Sequence, residues 1–572
     1  MKYFIPEWND RVDPRYDFIS DTHSSEHTQE PAKNDVYMWE IFGEEKVPFD
    51  GLLVSRITIE TDKRKYTQAR SEGIHKALRL PQNFEILGDC GAFGYVKEKT
   101  PPFDPVDILA YYKDLGFTYG VSVDHLVVPQ FEKEKNHRMR ITYENGVKAY
   151  EEWSRKFRKD FVLLVAIQGW DISDYIRMYR NYICLGAVHL AFGGLARSPT
   201  SFIAELVDEL VAEIKSSKKS PEHLHFFGLA RPALFPKFLE LEGLAIKVSF
   251  DSASYLRKAW LSSPSSQLNY LVPEGRGYAA IRVPFVTRKT QSKAATLTEY
   301  PDMTRLQTLE QDCLKKLREY DREEASIEDV LPILHRFSQT LGYGPELHSL
   351  YKRVLEDKPW RSCECPMCKD VGIEVIIFRG NNRNRRRGFH NTYVFHNVLT
   401  NPGLWLSFMS KKEEVPTLPT VSKSDKVLVI TECTKKKAGY NASTKRVAEE
   451  MYQGRLFKWV KRYCHAMRFD YVIISAKYGL IFPNEVVEGY EKVLRTKEDV
   501  EIIRPQIEQR LKNIVNDYDK IVVIAGQKYR SALGKLWDDR FMTVRSKGYG
   551  DLCRIVKEAT HDERSLFDFP IS

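Results

Sequence analysis

Short apolar runs alternate with helical segments through the chain from residue 51 to residue 286. The runs have the length of buried strands, and the segments between them carry apolar residues at helical spacing. Buried strands that alternate with helices predict a parallel sheet, and eight of them predict a closed (β/α)8 TIM barrel of the α/β class. The predicted strands lie at 51–56, 84–89, 119–124, 161–169, 187–194, 223–229, 245–251 and 278–286.

Polar or glycine residues stand at the ends of five of these runs. In a barrel, the residues that follow the strands meet at one mouth, where barrel enzymes carry out their chemistry. An aspartate after a strand often caps a helix, but capping accounts for neither the carboxamide nor the glycine pair in this set. The residues are Asp89, Asp124, Gln168, the pair Gly193-Gly194, and Asp251.

This set of polar groups suits two chemical tasks. Two carboxylates with separate roles suit displacement at the anomeric carbon of a sugar, where one attacks the carbon and the other moves a proton. A slot of Asp, Gln and backbone N–H groups suits the edge of a purine. No histidine cluster or Asp-x-Asp pair joins these residues, so a catalytic metal is not predicted.

A second constraint is the run Cys363-Glu-Cys365-Pro-Met-Cys368, with a histidine further on at position 390. Three thiolates and one imidazole make a complete tetrahedral set for a structural zinc ion. A disulfide is a poorer explanation because a Cys-x-Cys pair cannot be bridged without strain. The fourth ligand is His390 or, six residues later, His396.

Composition places limits on the class of protein. A chain of 572 residues is expected to form two or three domains. Its net charge of +9 suits an anionic polymer as partner, although ordinary solubility charge is the alternative. Without a transmembrane stretch or a signal core, and with scattered cysteines outside the cluster, the chain is predicted to be cytoplasmic, with no membrane association.

Pattern and composition divide the chain into four parts. The predicted parts are an irregular N-terminal arm on the surface (1–45), the barrel with an inserted zinc subdomain (46–409, the subdomain at about 355–408), a polar linker (410–425) and a C-terminal α/β accessory domain (426–572). In the last part, apolar runs at 428–431, 471–475 and 521–526 alternate with helices and predict a small parallel sheet.

Lysines follow all three runs of the C-terminal domain, and ligands of parallel sheets bind beyond the strand ends. An anion site for a phosphate or nucleotide is one hypothesis for this domain, and a purely structural role is the other. The string from Ser475 to Leu480, with the later Pro483 and Tyr490, resembles the YaaA-like group of DNA-associated domains.

Taken in order, the motifs of the barrel resemble the tRNA-guanine transglycosylase superfamily over roughly residues 50–400. The zinc signature of that family is Cys-x-Cys-x-x-Cys with a distant His-Asn pair that opens a helix. The run that starts at His390-Asn391 resembles the archaeal form of this helix, which favours His390 over His396. Further similar segments are Asp89–Phe93, Gly193–Ala196, Gly228–Pro232 and Phe250–Ala253.

The resemblance implies a base-exchange reaction and a role for each residue. Asp251 would attack the anomeric carbon of a guanosine nucleotide and expel guanine, which leaves a covalent intermediate. Asp89 would be the general acid/base that takes the proton from the incoming base, a 7-deazaguanine such as preQ0. The residues expected to bind the base are Phe93, Asp124, Gln168, Gly193, Gly194 and Leu195.

Departures from the tRNA-modifying members favour DNA as the polymer. Gly94 stands where the family usually has Gln, Arg197 stands where bacterial members have an acid, and no Pro-Thr-Arg segment follows Asp251. No C-terminal stretch resembles the RNA-binding module of archaeal members. The chain is more similar to the DpdA-type enzymes, which insert 7-deazaguanine derivatives into DNA.

DNA is therefore the predicted substrate, and tRNA is the alternative. A non-catalytic nucleic-acid-binding scaffold and a glycosidase that hydrolyses the nucleotide without exchange are further alternatives. The resemblance also implies a homodimer formed through the zinc region and partner proteins from a DNA-modification cluster.

The segment between the last cysteine of the cluster and His390 contains Arg383, Arg385, Arg386 and Arg387. A basic loop fixed by a metal would make a clamp for nucleic-acid phosphates. A solvated loop tip is the alternative.

Overall fold

The structure is a computed structural model with two compact units, Met1–Lys411 and Lys412–Ser572. The predicted linker at 410–425 lies, except for Ser410, outside the described residues. The structure describes residues 1–262, 266–275, 277–286, 303–341, 343, 346–410, 426–434, 437, 445–467, 469–494, 496–534, 540–544 and 549–561.

Eight parallel strands of the first unit close into a barrel, which confirms the predicted α/β class and TIM-barrel architecture. The first strand closes the ring by pairing with both the second and the eighth. The strands are β1 (Lys2–Pro6), β2 (Gly51–Ser55), β3 (Glu85–Asp89), β4 (Tyr119–Val121), β5 (Val162–Ile167), β6 (His189–Phe192), β7 (His223–Phe226) and β8 (Lys247–Asp251).

The first barrel strand comes from the predicted N-terminal arm. The prediction that residues 1–45 form only an irregular surface arm is wrong for β1, because Tyr3, Phe4 and Ile5 are buried between β2 and β8. This strand begins almost at the chain terminus and no amphipathic helix follows it directly, so it lacks the strand–helix alternation that marks the others.

The predicted eighth strand at 278–286 is not part of the barrel. Within that run only Ile281–Arg282 is a strand, and it pairs in parallel with Ile377–Phe378 in a separate two-stranded sheet. The run is as apolar as a barrel strand because Ala279, Ala280 and Val283 are also buried, but its backbone bonds to residues 376–378 and not to a barrel strand.

Helices follow the barrel strands and cover their outer faces. Ile172–Leu185 is an example: Asp171 caps its first turn, Gly186 ends it with a φ of 98°, and Tyr175 and Tyr182 are among its buried residues. No helix within the described parts of the chain is long and apolar enough to cross a membrane. The covering helices are Lys63–Glu72, Asp107–Leu115, Lys135–Lys156, Ile172–Leu185, Thr200–Ser216, Phe235–Glu242 and Ser254–Leu261.

A helical subdomain follows the barrel in sequence and ends the first unit. Its long helix Gly380–Thr400 packs against Ser254–Leu261, the helix that follows β8. The other helices of this subdomain are Met303–Asp321, Ile327–Thr340, Glu346–Asp357, Pro359–Ser362, Pro366–Val371 and Pro402–Ser410.

The main sheet of the second unit contains the three predicted strands and two strands that the sequence pattern did not indicate. The predicted strands are β9 (Val427–Glu432), β10 (Asp470–Ser475) and β12 (Lys520–Ile524); the additional strands are β11 (Gly479–Ile481) and β13 (Phe541–Thr543). The order is β11-β10-β9-β12-β13, and only β11 is antiparallel to its neighbour. Helices Arg455–Met467, Lys497–Lys512 and Tyr549–His561 are the longest among the described residues of this unit.

Candidate active site

Asp89 and Asp251 are the last residues of β3 and β8, and both stand at the same end of the barrel. Side chains alternate between the two faces of a strand. Asp251 therefore shares the inner face of β8 with Ser249, whereas Val248 and Phe250 pack among the apolar residues on the outside of the barrel. The barrel thus brings the two predicted catalytic carboxylates to one mouth.

Asp124 and Gln168 are hydrogen-bonded to each other at this mouth, and Gly193 lies beside the Gln168 carboxamide. Gln168 Nε2 donates to Asp124 Oδ2 at 2.6 Å, and Gln168 Oε1 accepts from the backbone N–H of Val127 at 3.3 Å. The Tyr175 hydroxyl donates to the carbonyl of Gly193 at 2.8 Å. The carboxamide is held from both sides, so its orientation is fixed before any substrate arrives.

The glycine pair is required by the space around it. A Cβ at Gly193 would overlap the carboxamide of Gln168, and one at Gly194 would press on Gln168 and Tyr175. Gly194 also has a φ of 78°, a left-handed conformation that glycine adopts without strain. Leu195, which follows, is fully buried.

Two side chains that the sequence analysis did not assign, Tyr95 and Cys90, contact Asp124. The Tyr95 hydroxyl donates to the carbonyl of Asp124 at 2.9 Å and lies 2.8 Å from the Cys90 sulfur. The Cys90 thiol in turn lies 3.6 Å from Asp124 Oδ1. Phe93, a predicted base-binding residue on the loop after β3, differs from these buried residues because it is 67% exposed.

Burial raises the pKa of two of the carboxyl groups at the mouth. The pKa of Asp89 rises to about 7, first because of desolvation and then because of the negative charge of Asp124, while the Gly91 N–H lowers it; Asp251 adds a further upward contribution. The pKa of Asp124 rises to about 6, again through desolvation, against a lowering by its bond from Gln168. A carboxyl group with a pKa near neutrality can both give and accept a proton at physiological pH.

The carboxylate of Asp251 is held through one of its oxygens. Asp251 Oδ1 accepts from the backbone N–H of Gly228 at 2.9 Å, and His225 Nε2 lies 3.3 Å from the same oxygen. Gly228 has a φ of 73°, and a Cβ there would overlap Ala196. Glycine at this position therefore lets the loop after β7 reach the end of β8.

The three predicted cysteine ligands and His390 form a compact cluster in the helical subdomain. His390 Nδ1 lies 3.4 Å from the sulfur of each of Cys363, Cys365 and Cys368. Sulfur and nitrogen ligands of a tetrahedral zinc ion lie about 3.5 Å apart, given Zn–S of about 2.3 Å and Zn–N of about 2.0 Å. The geometry therefore fits a metal ion, and His390, not His396, belongs to this group of four side chains among the described residues.

Local structure prepares this cluster for a metal. Cys365 caps the helix Pro366–Val371, and its sulfur accepts from the N–H of Cys368 at 3.4 Å. His390 Nε2 lies 2.9 Å from the carbonyl of Leu271, a contact that places the ring proton on Nε2 and leaves the lone pair of Nδ1 for the metal. The ring of Tyr270 stacks on the imidazole at 3.8 Å.

Comparison with known proteins agrees with this geometry. A DNA-guanine transglycosylase of Salmonella montevideo is 32% identical over 417 residues, which are 70% of this chain and 96% of that protein. The chain belongs to the guanine transglycosylase family. The resemblance to the DpdA-type branch is thereby confirmed, and the protein is a pentosyltransferase enzyme.

A second relative of this transglycosylase is the tRNA-guanine(15) transglycosylase of Pyrobaculum aerophilum. It is 25% identical over 345 residues, which cover 52% of this chain and 63% of that protein. More than a third of the archaeal protein therefore has no counterpart in the aligned region.

The C-terminal unit of the transglycosylase matches a different group. Residues 427–549 match a family described as a family of unknown function (DUF6884). The uncharacterized protein YfjM of Bacillus subtilis is 25% identical over 125 residues, which are 21% of this chain and 83% of that protein.

In this unit, side chains of the YaaA-like string meet at the strand ends. The Tyr490 hydroxyl lies 2.8 Å from Ser475 Oγ and 3.1 Å from the Tyr452 hydroxyl. The ammonium groups of Lys437 and Lys477 lie 4.1 Å and 5.9 Å from the centre of the Tyr490 ring. The anion site stays a prediction, and these residues are where we expect it.

The prediction of an arginine-rich phosphate clamp is wrong for Arg383. This residue lies on the helix Gly380–Thr400 rather than on a loop, and its side chain is fully buried. Its guanidinium pairs with Glu374 at 2.6 Å and with Asp21, and it donates to the carbonyl of Phe18 at 2.8 Å. A fully buried guanidinium that is paired with internal carboxylates is not accessible to a nucleic acid.

The neighbouring arginines of this helix also have internal partners. Arg387 is fully buried and donates to the carbonyls of Ala259 and Val375. Arg386 pairs with Asp370, and Arg385, which is partly exposed, donates to the carbonyl of Arg11 at 2.6 Å. Together these arginines hold the N-terminal segment and the barrel helix after β8 against the subdomain. The run of arginines in the sequence therefore reflects the packing of the subdomain.

Proposed function

We propose that this transglycosylase replaces guanine in DNA by a 7-deazaguanine derivative such as preQ0, through a covalent bond between Asp251 and the nucleotide. The observation that carries the proposal is the pair of carboxylates at one barrel mouth, where desolvation first, and also the charges of Asp124 and Asp251, raise the pKa of Asp89. The DNA-guanine transglycosylase relative supports DNA as the polymer.

In the proposed reaction, the carboxylate of Asp251 attacks the anomeric carbon of the target nucleotide and the bond to guanine breaks. The neutral carboxyl of Asp89 gives its proton to the departing guanine. The incoming base then loses its ring N–H proton to the Asp89 carboxylate. Its nitrogen attacks the same carbon and releases Asp251, so the enzyme returns to its starting protonation state.

The polar group around Gln168 is proposed to hold the base during both steps. Asp124 can accept from the N–H donors of a guanine edge, and the Gly194 N–H can donate to its carbonyl oxygen. Gly193 keeps the slot open, and Leu195 and Phe93 would lie beside the base. The target base must leave its stack to reach this mouth.

The choice of polymer can be tested directly. The enzyme is incubated with duplex DNA, single-stranded DNA and tRNA, each with a labelled 7-deazaguanine, and the nucleosides are analysed by mass spectrometry. We expect the label in DNA nucleosides. Label only in tRNA nucleosides would establish the alternative substrate, abasic sites would indicate a hydrolytic glycosidase, and no change in any polymer would favour a non-catalytic scaffold.

A pH profile tests the role of Asp89. Its raised pKa, about 7, means that the neutral acid dominates below neutrality and the carboxylate above it. The rate of guanine release in a single turnover should therefore fall as the pH rises through about 7, while the rate of base insertion into the preformed adduct should rise. Identical profiles for both half-reactions would contradict the shared acid/base role, and Asp89→Asn should remove both pH limbs.

We further propose that Cys363, Cys365, Cys368 and His390 hold a structural zinc ion. All four positions of a tetrahedral site are filled by side chains, which leaves no open position for a substrate. Thiolate ligands also require a reducing compartment, which agrees with the predicted cytoplasmic location. A homodimer and partner proteins from a DNA-modification cluster stay predictions.

A further inference from the structure

A column of polar side chains runs through the barrel interior to the nucleophile. His223 Nε2 lies 2.6 Å from Ser249 Oγ, and Ser249 Oγ lies 2.8 Å from His225 Nδ1. The other ring nitrogen of His225, Nε2, lies 3.3 Å from Asp251 Oδ1. His225 and Ser249 are fully buried, and His223 is 3% exposed.

These groups are unusual for the position they occupy. Inward-facing residues of TIM barrels are mostly branched aliphatic residues that fill the interior in layers. The rest of this interior is largely apolar, with Phe4, Leu53 and Leu164 among its members. Two buried imidazoles and a hydroxyl cost free energy of desolvation that a Val or Leu would not, so a role in positioning would explain their presence.

Ser249 has one hydroxyl proton, so it can donate to only one of the two imidazoles. This choice sets which group is donor and which is acceptor along the column. If Ser249 donates to His225 Nδ1, the remaining proton of a neutral His225 is on Nε2, the ring nitrogen that lies 3.3 Å from Asp251 Oδ1. The opposite arrangement would set the lone pair of Nε2 against the carboxylate oxygen, which is repulsive. His223 can supply its Nε2 proton to Ser249, and burial lowers the pKa of His223, which keeps this imidazole neutral.

Resting on the proposed function, we infer that His225 is a positioning residue that, with the Gly228 N–H, anchors Asp251 Oδ1 and leaves Oδ2 as the attacking oxygen. Both groups contact the same oxygen, at 3.3 Å and 2.9 Å. The His225 N–H is out of line for a hydrogen bond, and Nε2 has no hydrogen-bond partner among the described residues. The contact between His225 Nε2 and Asp251 Oδ1 can therefore become a hydrogen bond when the carboxylate turns towards the anomeric carbon.

The test compares two substitutions of His225. His225→Gln keeps an N–H donor near the position of Nε2, whereas His225→Leu removes the donor and keeps a similar volume. We expect His225→Leu to slow formation of the covalent adduct in a single turnover by about 10- to 100-fold, because a small misplacement of a reacting group has an effect of that size. His225→Gln should recover most of the rate, and KM for the incoming base should stay unchanged in both variants.

A third variant tests whether the orientation of the His225 ring matters. Ser249→Ala leaves the imidazole in place but removes the donor that orients it, so it should also slow adduct formation without a change in KM for the base. Wild-type rates in His225→Leu or Ser249→Ala, or equal losses in the Leu and Gln variants, would overturn the positioning role. Absence of an adduct in the wild-type enzyme would instead overturn the proposed function.

Discussion

The covalent adduct and the exchange activity should both disappear when Asp251 is replaced by asparagine. A carboxamide has the shape of the carboxylate and can still accept from the Gly228 N–H, so the loop after β7 should keep its position. It is a far poorer nucleophile, and we expect the exchange rate to fall by more than about a thousandfold. The measurement is mass spectrometry of the denatured protein after incubation with DNA, together with the incorporation of labelled base.

Asp124→Asn is the matched control for this experiment. It makes the same carboxylate-to-carboxamide change at the same mouth, but at a residue assigned to the base rather than to the sugar. The Asp124 variant should bind both the target guanine and the incoming base more weakly, but with excess DNA it should still form the adduct. An adduct that persists in Asp251→Asn would assign the nucleophile to another residue, and loss of the adduct in both variants would point to a general disturbance of the site.

Alternation of strands and helices was sufficient to predict the barrel because seven of its strands share one pattern. Each is a short buried run with a helix after it, and the residues at its end face the mouth. β1 departs from the pattern, so it was missed. The run at 278–286 was mistaken for a strand of the barrel because any buried segment is apolar, whether it packs inside the barrel or elsewhere.

The arginines show why charge alone is a weak guide to a binding surface. In the sequence, Arg383 and Arg387 belong to a basic segment, which has the composition of a phosphate site. Two of their acceptors, Asp21 and the carbonyl of Ala259, are distant in sequence. Because those partners become neighbours only in the folded chain, no local pattern could distinguish a buried ion pair from an exposed clamp.

Part of the interior column can be predicted from the sequence, because side chains alternate between the two faces of a strand. His223 and His225 are separated by one residue, as are Ser249 and Asp251, so each pair must face the same side of its strand. What the sequence could not supply is that β7 and β8 are neighbours in a register that pairs Ser249 with His225. That register makes the four residues one column.

Removal of the metal should destabilise the barrel mouth as well as the helical subdomain. Asn391, next to His390, accepts from the N–H of Leu271 at 2.9 Å and donates to the carbonyl of Tyr255 at 3.3 Å, on the helix that follows Asp251. Loss of a structural metal is among the largest single-site effects on stability. We expect Cys368→Ser to lose bound zinc, measured by elemental analysis, and to lower Tm by on the order of 10 °C.

The exposed Cys184 provides the control for this substitution, because it has the same side chain and lies outside the cluster. Cys184→Ser should keep one zinc per chain, the wild-type Tm and the exchange rate. A chelator should reproduce the effect of Cys368→Ser, and added zinc should reverse the chelator but not the substitution. If Cys368→Ser kept its metal and its Tm, the four side chains would not be the zinc ligands. If it lost the metal but formed the Asp251 adduct at the wild-type rate, the link from His390 through Asn391 to Tyr255 would not support the position of the nucleophile.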